Sequence, residues 1–312
     1  MTSQRDHGGG LDAAVRQYGG TRADWIDLST GINPVGYPLP ALSAHAWSAL
    51  PDHAMADKLD RAARAFWNVP TGADVLAAPG ASALIAQIPR LMPPGTVCIT
   101  HPTYNEHAGS FVENGWTVQQ NRSAQATVLV HPNNPDGRLW SAEDVSGPLT
   151  IIDESFCDVA PDHSLIAQAT RPGTIVLKSF GKFWGLAGVR LGFAIGDPGL
   201  IARLRQMLGP WPVSGVALEI GAHALRDTDW AEQTRARLAT DADRLDTMLS
   251  THGATVVGGT TLFRLYRVEN AAAWQDRLAR HHIWSRVFPY AKDWLRLGLP
   301  SPDAWDRLEA VL

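Results

Sequence analysis

The sequence predicts an α/β protein, with a large domain whose mostly parallel central sheet is flanked by helices, and a smaller α+β domain. Five apolar, β-rich runs alternate with helical or Pro/Gly-rich connections, which is the pattern of a parallel sheet buried on both faces. Ligands of such sheets bind beyond the carboxyl ends of the strands, and each unusual residue cluster follows one of these runs. The runs are Val97–Thr100, Ala126–Val130, Leu149–Ile152, Thr174–Leu177 and Leu191–Ile195.

The chain changes character after Asp197-Pro198, where Arg-rich amphipathic helices begin. We therefore predict a large domain over residues 41–208 and a smaller domain built from residues 1–40 and 209–312. The first 40 residues are assigned to the smaller domain because they lack a strand that could join the βα series. Within the smaller domain we expect strands at 261–266 and 294–298, and helices at 11–18, 230–249, 270–282 and 302–312.

Composition excludes several classes of protein. The 312 residues are 45% hydrophobic and 19% charged with a net charge of -4, which describes an ordinary globular protein and disfavours nucleic acid or an anionic membrane as partner. We expect neither a signal peptide nor a transmembrane helix, and a cytoplasmic location. Cys98 and Cys157 have no CxxC partner and are expected to be buried, reduced thiols, and no metal site is predicted.

A single lysine dominates the chemistry of the sequence. Ser179 to Arg190 is a Gly-rich turn after an apolar run, and it holds Lys182 among Gly, Phe, Trp and Leu, although the chain has only four lysines among its 27 basic residues. Lysines desolvated by such neighbours have a lowered pKa and form Schiff bases with aldehyde cofactors. The segment therefore resembles a pyridoxal phosphate (PLP) site, and a plain surface lysine is the alternative.

Asp153 ends another apolar run, where an unpaired anion would be costly. A pyridinium nitrogen would supply both a cation and a donor, and the carboxylate would keep that nitrogen protonated. An Asp that caps a following turn is the alternative. Asn134, in the turn from His131 to Gly137, could donate to the phenolate oxygen of PLP, unless this segment is simply a turn.

The remaining cofactor candidates would hold the ring and the phosphate. Tyr104 could stack on the pyridine face, although a core tyrosine is equally compatible with its position. Before an apolar helix, Pro79-Gly-Ala-Ser offers a helix N-terminus to an anion, with Ser82 either binding phosphate or acting as the N-cap. The predicted phosphate cradle consists of Gly80, Ala81, Ser82, Ser179 and Arg190, of which Arg190 would give charge-assisted hydrogen bonds.

Together these motifs resemble the fold-type-I PLP enzymes, and within them the branch of histidinol-phosphate aminotransferases and threonine-phosphate decarboxylases. The family pattern of Ser/Thr, two residues, Lys, then Leu-Ala-Gly-x-Arg-x-Gly is matched by Ser179, Lys182 and residues 186–192. The Asn-Pro-x-Gly and Asp-Glu-x-Phe/Tyr patterns are matched at Asn134 and Asp153. The resemblance covers nearly the whole chain and implies PLP as cofactor, Lys182, Asp153 and Tyr104 as catalytic residues, and a homodimer.

The choice of reaction depends on the substrate side of the resemblance. Residues 7–12 and 27–34 are similar to the His-Gly-Gly and Ser-x-x-Ile-Asn-Pro signature of the threonine-phosphate decarboxylases of cobalamin synthesis. The resemblance implies decarboxylation of L-threonine O-3-phosphate to (R)-1-aminopropan-2-yl phosphate. Arg296 matches the family's arginine for the substrate carboxylate, and we expect His7, Ser29 and Asn33 to bind the substrate phosphate. The alternatives are an aminotransferase of the histidinol-phosphate type and a non-catalytic binding partner in the cobalamin pathway.

The chain also departs from the family pattern. Phe156 stands where many aminotransferases of the branch have a tyrosine, and Leu50 and Met55 lie in a segment where relatives carry a tyrosine that reaches the partner subunit's cofactor. Pro300 replaces a second arginine found in some decarboxylases. Arg286 is the candidate to compensate for that arginine, with a solvated surface arginine as the alternative.

Overall fold

The computed structural model describes residues 6–312, which divide into two compact units. The larger unit comprises residues 37–134 and 138–232, and the smaller unit comprises the residues up to 36 together with 135–137 and 233–312. Residues 209–232 group with the larger unit because helix Gly215–Ala224 packs on helix His53–Phe66, where Gly221 leaves no space for a side chain beside Leu59. The predicted division at residues 40/41 and 208/209 stays a prediction.

Ten α-helices lie within the described residues. They are α1 (Leu11–Tyr18), α2 (Ala44–Ser48), α3 (His53–Phe66), α4 (Ala81–Gln87), α5 (Asn105–Glu113), α6 (Pro198–Leu208), α7 (Gly215–Ala224), α8 (Thr228–Thr251), α9 (Ala271–Ala279) and α10 (Trp305–Glu309).

The same residues contain thirteen β-strands. They are β1 (Ile26–Asp27), β2 (Asp74–Ala78), β3 (Thr96–Ile99), β4 (Thr117–Gln119), β5 (Ala126–Val130), β6 (Leu149–Asp153), β7 (Thr174–Ser179), β8 (Gly192–Gly196), β9 (Thr255–Thr260), β10 (Phe263–Arg267), β11 (Ile283–Trp284), β12 (Arg286–Phe288) and β13 (Ala291–Gly298).

The larger unit is built on a seven-stranded sheet of order β2-β8-β7-β6-β5-β3-β4. Every pairing from β7 through β4 is parallel, whereas β8 runs antiparallel to both of its neighbours. All five predicted runs are strands of this sheet, so the predicted fold class is confirmed. Leu191–Ile195 contributes the one reversed strand, which follows β7 through the connection of residues 180–191.

Burial on both faces explains why the strands are apolar throughout. Every residue of β5 and β6 is buried, and α4, α5 and α6 supply apolar side chains to the same core. Trp116 and Phe111 close that core with an edge-to-face contact at 5.1 Å between ring centroids. The sheet is therefore a rigid platform for the loops at its carboxyl edge.

The smaller unit contains an antiparallel four-stranded sheet of order β12-β13-β10-β9 and a parallel pair of β1 with β11. The predicted strands at 261–266 and 294–298 correspond to β10 and β13. The predicted helices correspond to α1, α8, α9 and α10, and α1 has the predicted bounds. No helix among residues 6–312 is long and apolar enough to cross a membrane.

Candidate active site

A cavity of about 110 Å³ lies in the larger unit, where β5, β6 and β7 end. Eight of the predicted cofactor residues line it: Ala81, Ser82, Tyr104, Asn134, Asp153, Ser179, Lys182 and Arg190. Gly80 adjoins this lining at the first turn of α4. The clusters that follow separate strands in the sequence are therefore brought together at one edge of the sheet.

Aromatic packing fixes the turn that carries Lys182. Trp184, with no exposed surface, stacks between Phe180 at 5.1 Å and Trp230 at 5.2 Å, with interplanar angles of 10° and 13°. The Trp184 carbonyl also accepts a hydrogen bond of 2.8 Å from the Tyr37 amide. Since these contacts hold both sides of the turn, Lys182 points into the cavity from an ordered base, with Nζ 5.4 Å from the centre of the Phe156 ring.

A second lysine, Lys178 in β7, has a different environment. Its Nζ donates to Glu154 Oε2 at 2.5 Å and lies 3.7 Å from Asp158 Oδ1, and its side chain is 2% exposed. Burial alone would lower the pKa of Lys178, but the charges of Glu154 and Asp158 raise it above its ordinary value. Lys178 is held protonated on the far side of the strand, which leaves Lys182 as the amine that faces the cavity.

Asp153 is the buried carboxylate of the cavity, 2% exposed at the end of β6. Its Oδ2 lies 2.7 Å from His107 Nε2, and its Oδ1 accepts hydrogen bonds from Ser155 Oγ at 2.5 Å and Ser155 N at 3.0 Å. Burial would raise the pKa of Asp153, but the hydrogen bond and charge of His107 and the Ser155 hydrogen bonds lower it below its ordinary value. Asp153 is therefore kept ionised in an enclosed site.

His107 and Ser155 are functional candidates that sequence reasoning missed. His107 lies 46 positions before Asp153 on the first turns of α5, so only the fold shows the contact. A signal was present in the sequence, because His107 occupies a buried position of a short amphipathic helix, where a polar side chain needs a partner. Ser155 follows Asp153 by two residues, a spacing at which a hydroxyl can bond back to an Asp.

Tyr104 and Phe156 give the cavity its aromatic walls. Tyr104 is the residue before α5, is half-buried, and meets His107 edge to face at 6.1 Å. Phe156 is 6% exposed and carries no hydroxyl, and Asn134 contributes an amide to the same lining.

Gly80 and Arg190 shape the end of the cavity at α4. Gly80 has a φ of 83°, and a Cβ built on it would lie 2.6 Å from Arg190 Nη2. Arg190 itself is left-handed, with φ 55° and ψ 50°. The N-cap of α4 is Gly80, so Ser82 lies inside the first turn and is not the N-cap that the alternative reading required. Glycine is favoured here because its φ lies in the left-handed region, and a Cβ would in addition displace the end of the Arg190 side chain.

The substrate-side candidates lie in the smaller unit. Arg296 is 5% exposed, donates to the Ser29 carbonyl at 2.7 Å, and lies over the Phe263 ring at 5.1 Å. Burial, followed by the positive charge of Arg286, lowers the pKa of Arg296 to about 10. Arg286 is not a solvated surface arginine: its side chain is 13% exposed and bonds to residues 6 and 7.

The three residues predicted to bind the substrate phosphate differ from one another in exposure and in hydrogen-bond partners. His7 is exposed and its carbonyl accepts from Arg286 at 2.9 Å. Ser29 Oγ donates to Asp27 at 2.6 Å and accepts from the Gly9 amide, so it ties the N-terminal segment to β1. Asn33 is 2% exposed and its Oδ1 accepts from Arg237 at 2.6 Å, a partner that the sequence did not indicate.

The model of the aminotransferase class I and II family matches residues 23–311. The chain belongs to this family. Among similar proteins, the threonine-phosphate decarboxylase of Pseudomonas aeruginosa is 40% identical and covers 98% of this chain and 97% of its own length. Histidinol-phosphate aminotransferase 3 of Mesorhizobium japonicum is 26% identical over 95% of this chain and 89% of its own length.

Solved structures of the family share the fold. The histidinol-phosphate aminotransferase of Sinorhizobium meliloti, determined in complex with pyridoxal-5'-phosphate, superposes with a TM-score of 0.83 at 22% identity. The match covers 99% of this chain and 94% of that one. The resemblance stated from the sequence motifs is thereby confirmed at the level of the family.

The cavity of this aminotransferase-family chain has the donor set that PLP requires. The lining contains the buried carboxylate of Asp153, the amine of Lys182 and the amide of Asn134. At the start of α4, the Arg190 guanidinium lies next to Gly80. The residues present therefore fit a pyridine ring with a phosphate group.

Proposed function

We propose that the protein is a PLP-dependent carboxy-lyase that converts L-threonine O-3-phosphate to (R)-1-aminopropan-2-yl phosphate for cobalamin synthesis. The choice of substrate is supported by the relative named threonine-phosphate decarboxylase, because its 40% identity extends over 98% of the chain. The matching aminotransferase is 26% identical. The convergence of Lys182, Asp153 and Arg190 on one cavity supports the cofactor and argues against a non-catalytic partner.

When bound, PLP supplies an aldehyde that links to amines and a ring that accepts electrons from the reacting carbon. Asp153 would hold a proton on the ring nitrogen, Asn134 would donate to the phenolate oxygen, and Tyr104 would cover the ring face. Gly80, Ala81, Ser82, Ser179 and Arg190 would hold the phosphate. Backbone N–H groups at the start of α4 and the Arg190 guanidinium are suited to that anion.

Lys182 would serve twice. Its Nζ would hold the cofactor aldehyde when no substrate is bound. After the bond between the substrate α-carbon and its carboxylate breaks, with loss of carbon dioxide, Nζ would deliver a proton to that carbon. The packed turn around Trp184 keeps Nζ in place for both tasks.

Arg296 would bind the substrate carboxylate, and His7, Ser29 and Asn33 would bind its phosphate. Separate anchors for two anionic ends would choose which bond of the α-carbon is cleaved, since binding far from the reacting atom can orient it. The side-chain atoms of Ser29 and Asn33 already have internal partners, Asp27 and Arg237. Ser29 would exchange its bond to Asp27 for one to the phosphate, whereas Asn33 would donate through Nδ2 and keep Oδ1 as the acceptor of the Arg237 bond.

We also propose a homodimer in the cytoplasm. The larger unit exposes Trp47, Leu50 and Trp211 at 71%, 65% and 57%, which is unusual for large apolar side chains. Leu50 and Trp211 line an open groove of about 820 Å³ together with Pro210, Val213 and Leu218. A second copy of the chain would cover this surface. Trp211→Glu should halve the mass measured by analytical ultracentrifugation, and a wild-type monomer would contradict the proposal.

One incubation tests the reaction. Purified protein with PLP and L-threonine O-3-phosphate should release carbon dioxide and aminopropanol phosphate in equal amounts. Adding 2-oxoglutarate should change neither rate. Faster consumption of histidinol phosphate with 2-oxoglutarate would instead establish the aminotransferase alternative.

A further inference from the structure

Arg286 and Arg296 form a like-charged pair on one face of the smaller unit's antiparallel sheet. They are directly opposite each other in the register of β12 with β13. Side chains of opposite residues in such a pair project from the same face with Cβ atoms about 4.5–5.5 Å apart, and like charges there are destabilising. The pair therefore calls for an anion close to both guanidinium groups.

The chain's own N-terminal segment supplies an anion to one member of this pair, Arg286. Arg286 Nη1 donates to Asp6 Oδ1 at 2.5 Å and to the His7 carbonyl at 2.9 Å, and Nη2 donates to the Asp6 carbonyl at 3.0 Å. Two kinds of contact are thus combined: an ion pair to the Asp6 side chain and two hydrogen bonds to the main chain. The main-chain bonds hold the segment whether or not the carboxylate is in place.

The two partners of the ion pair differ in exposure. The Asp6 side chain is 48% exposed, whereas that of Arg286 is 13% exposed. Ion pairs with one solvated partner contribute little net stability. The Asp6 carboxylate can therefore leave Arg286 for water at small cost, whereas Arg286, whose side chain has less access to water, depends more on an anion to compensate its charge.

We propose that Asp6 is an internal counter-ion that an oxyanion of the substrate displaces from Arg286. The inference rests on the proposed function, in which the substrate carries a carboxylate and a phosphate. Before binding, Asp6 compensates the charge of Arg286. A ligand must outcompete this carboxylate, so weakly charged amino acids are disfavoured and doubly anionic ones are selected.

The test is Asp6→Asn in the PLP-loaded protein, titrated by calorimetry with inorganic phosphate and, separately, with L-threonine. Loading with PLP fills the cofactor's own phosphate cradle. Because the competing carboxylate is gone while the carbonyl bonds remain, one of the two ligands should bind roughly three- to tenfold more tightly. Tighter phosphate binding assigns the displacing group to the substrate phosphate, and tighter threonine binding assigns it to the carboxylate.

Asp12→Asn is the matched control. It removes the same charge from the same terminal region, where Asp12 pairs with Arg22 and the two side chains are 81% and 67% exposed. Its affinities should equal those of the wild type. Asp6→Glu, which keeps a carboxylate, should also bind both ligands with wild-type affinity, and it covers the case in which Asp6→Asn does not fold.

The proposal is overturned if Asp6→Asn binds both ligands no more tightly than Asp12→Asn does, or if Asp6→Glu gains the affinity expected of the charge-free variant. The measured quantity is affinity and not the rate of decarboxylation, and inorganic phosphate cannot be turned over. A failure of decarboxylation would therefore leave this result readable, and the two failures can be told apart.

Discussion

At the scale of single residues, the Asp153–His107 hydrogen bond should make the stability of the protein depend on pH. The folded pKa of Asp153 is lowered, so its ionisation stabilises the protein above the ordinary carboxyl pKa of about 4 and loses that contribution as pH falls through the folded value. His107→Leu removes the donor. The difference in unfolding free energy between wild type and His107→Leu should therefore be larger at neutral pH than near pH 3.

Urea unfolding at several pH values measures that difference. His281→Leu, which changes an exposed histidine of the smaller unit, is the control and should show no such trend. A gap that stays constant with pH would mean that His107 acts by packing and not by holding the charge of Asp153.

Replacing Asp153 itself should separate binding from chemistry. Asp153→Ala leaves the phosphate cradle and Lys182 intact, so PLP should still bind. Turnover should fall, because the variant should lose about 3 kcal/mol or more of transition-state stabilisation. This is the scale for removing a preorganised charge partner. Steady-state kinetics of the PLP-saturated variant gives this figure, and a loss smaller than tenfold would argue against the role.

Lys182→Ala should abolish turnover and the visible absorbance of covalently attached PLP. Lys58→Ala, which changes an exposed lysine of α3, is the control and should keep both. Normal steady-state activity of Lys182→Ala would show that Lys182 neither anchors the cofactor nor carries the proton.

These residues also show how far single positions can be predicted. The sequence indicated Lys182, Asp153 and Asn134, which line one cavity, because each lies in a short motif after an apolar run. His107, Arg237 and Asp6 were not found as partners, because their contacts join positions 46, 204 and 280 residues apart. Such pairs depend on how elements pack, and no local pattern encodes them.

At the scale of elements, the turn that leads into α4 should tolerate substitution poorly at Gly80. Gly80→Ala would put a Cβ where Arg190 Nη2 lies at 2.6 Å and would strain a residue with φ of 83°. We expect PLP affinity to fall by roughly tenfold or more, since one tenfold step corresponds to about 1.4 kcal/mol. Equilibrium titration of apoprotein with PLP measures it.

Gly188→Ala is the matched control for that prediction, because a Cβ there meets nothing within 4 Å. Its PLP affinity should be that of the wild type. Equal affinities for all three proteins would show that Arg190 can move aside and that the glycine is not required.

Elements were predicted well where an apolar run is long and poorly where a strand is short or lies at an edge. The runs that became β5, β6 and β7 are buried along their whole length, so composition alone revealed them. By contrast β4 has three residues at the sheet edge and β1 has two, with no fully buried residue in either. The register that sets Arg286 opposite Arg296 lies beyond what sequence patterns encode.

At the scale of the whole molecule, the two units divide the predicted tasks. All described cofactor candidates belong to the larger unit, and all described substrate-side candidates belong to the smaller unit. The fold class and the family followed from sequence motifs, because those motifs are tied to one cofactor. Fold alone leaves the reaction open, since the same family contains aminotransferases and decarboxylases.

The most direct measurement is a substrate comparison on the wild-type, PLP-loaded protein. The values of kcat/KM are determined for carbon dioxide release from L-threonine O-3-phosphate and from L-threonine, and for transamination of histidinol phosphate with 2-oxoglutarate. We predict that the phosphorylated threonine is decarboxylated with by far the highest kcat/KM, because its two anionic ends fix the cleaved bond. Similar decarboxylation of threonine and its phosphate ester, or faster transamination of histidinol phosphate, would contradict the account.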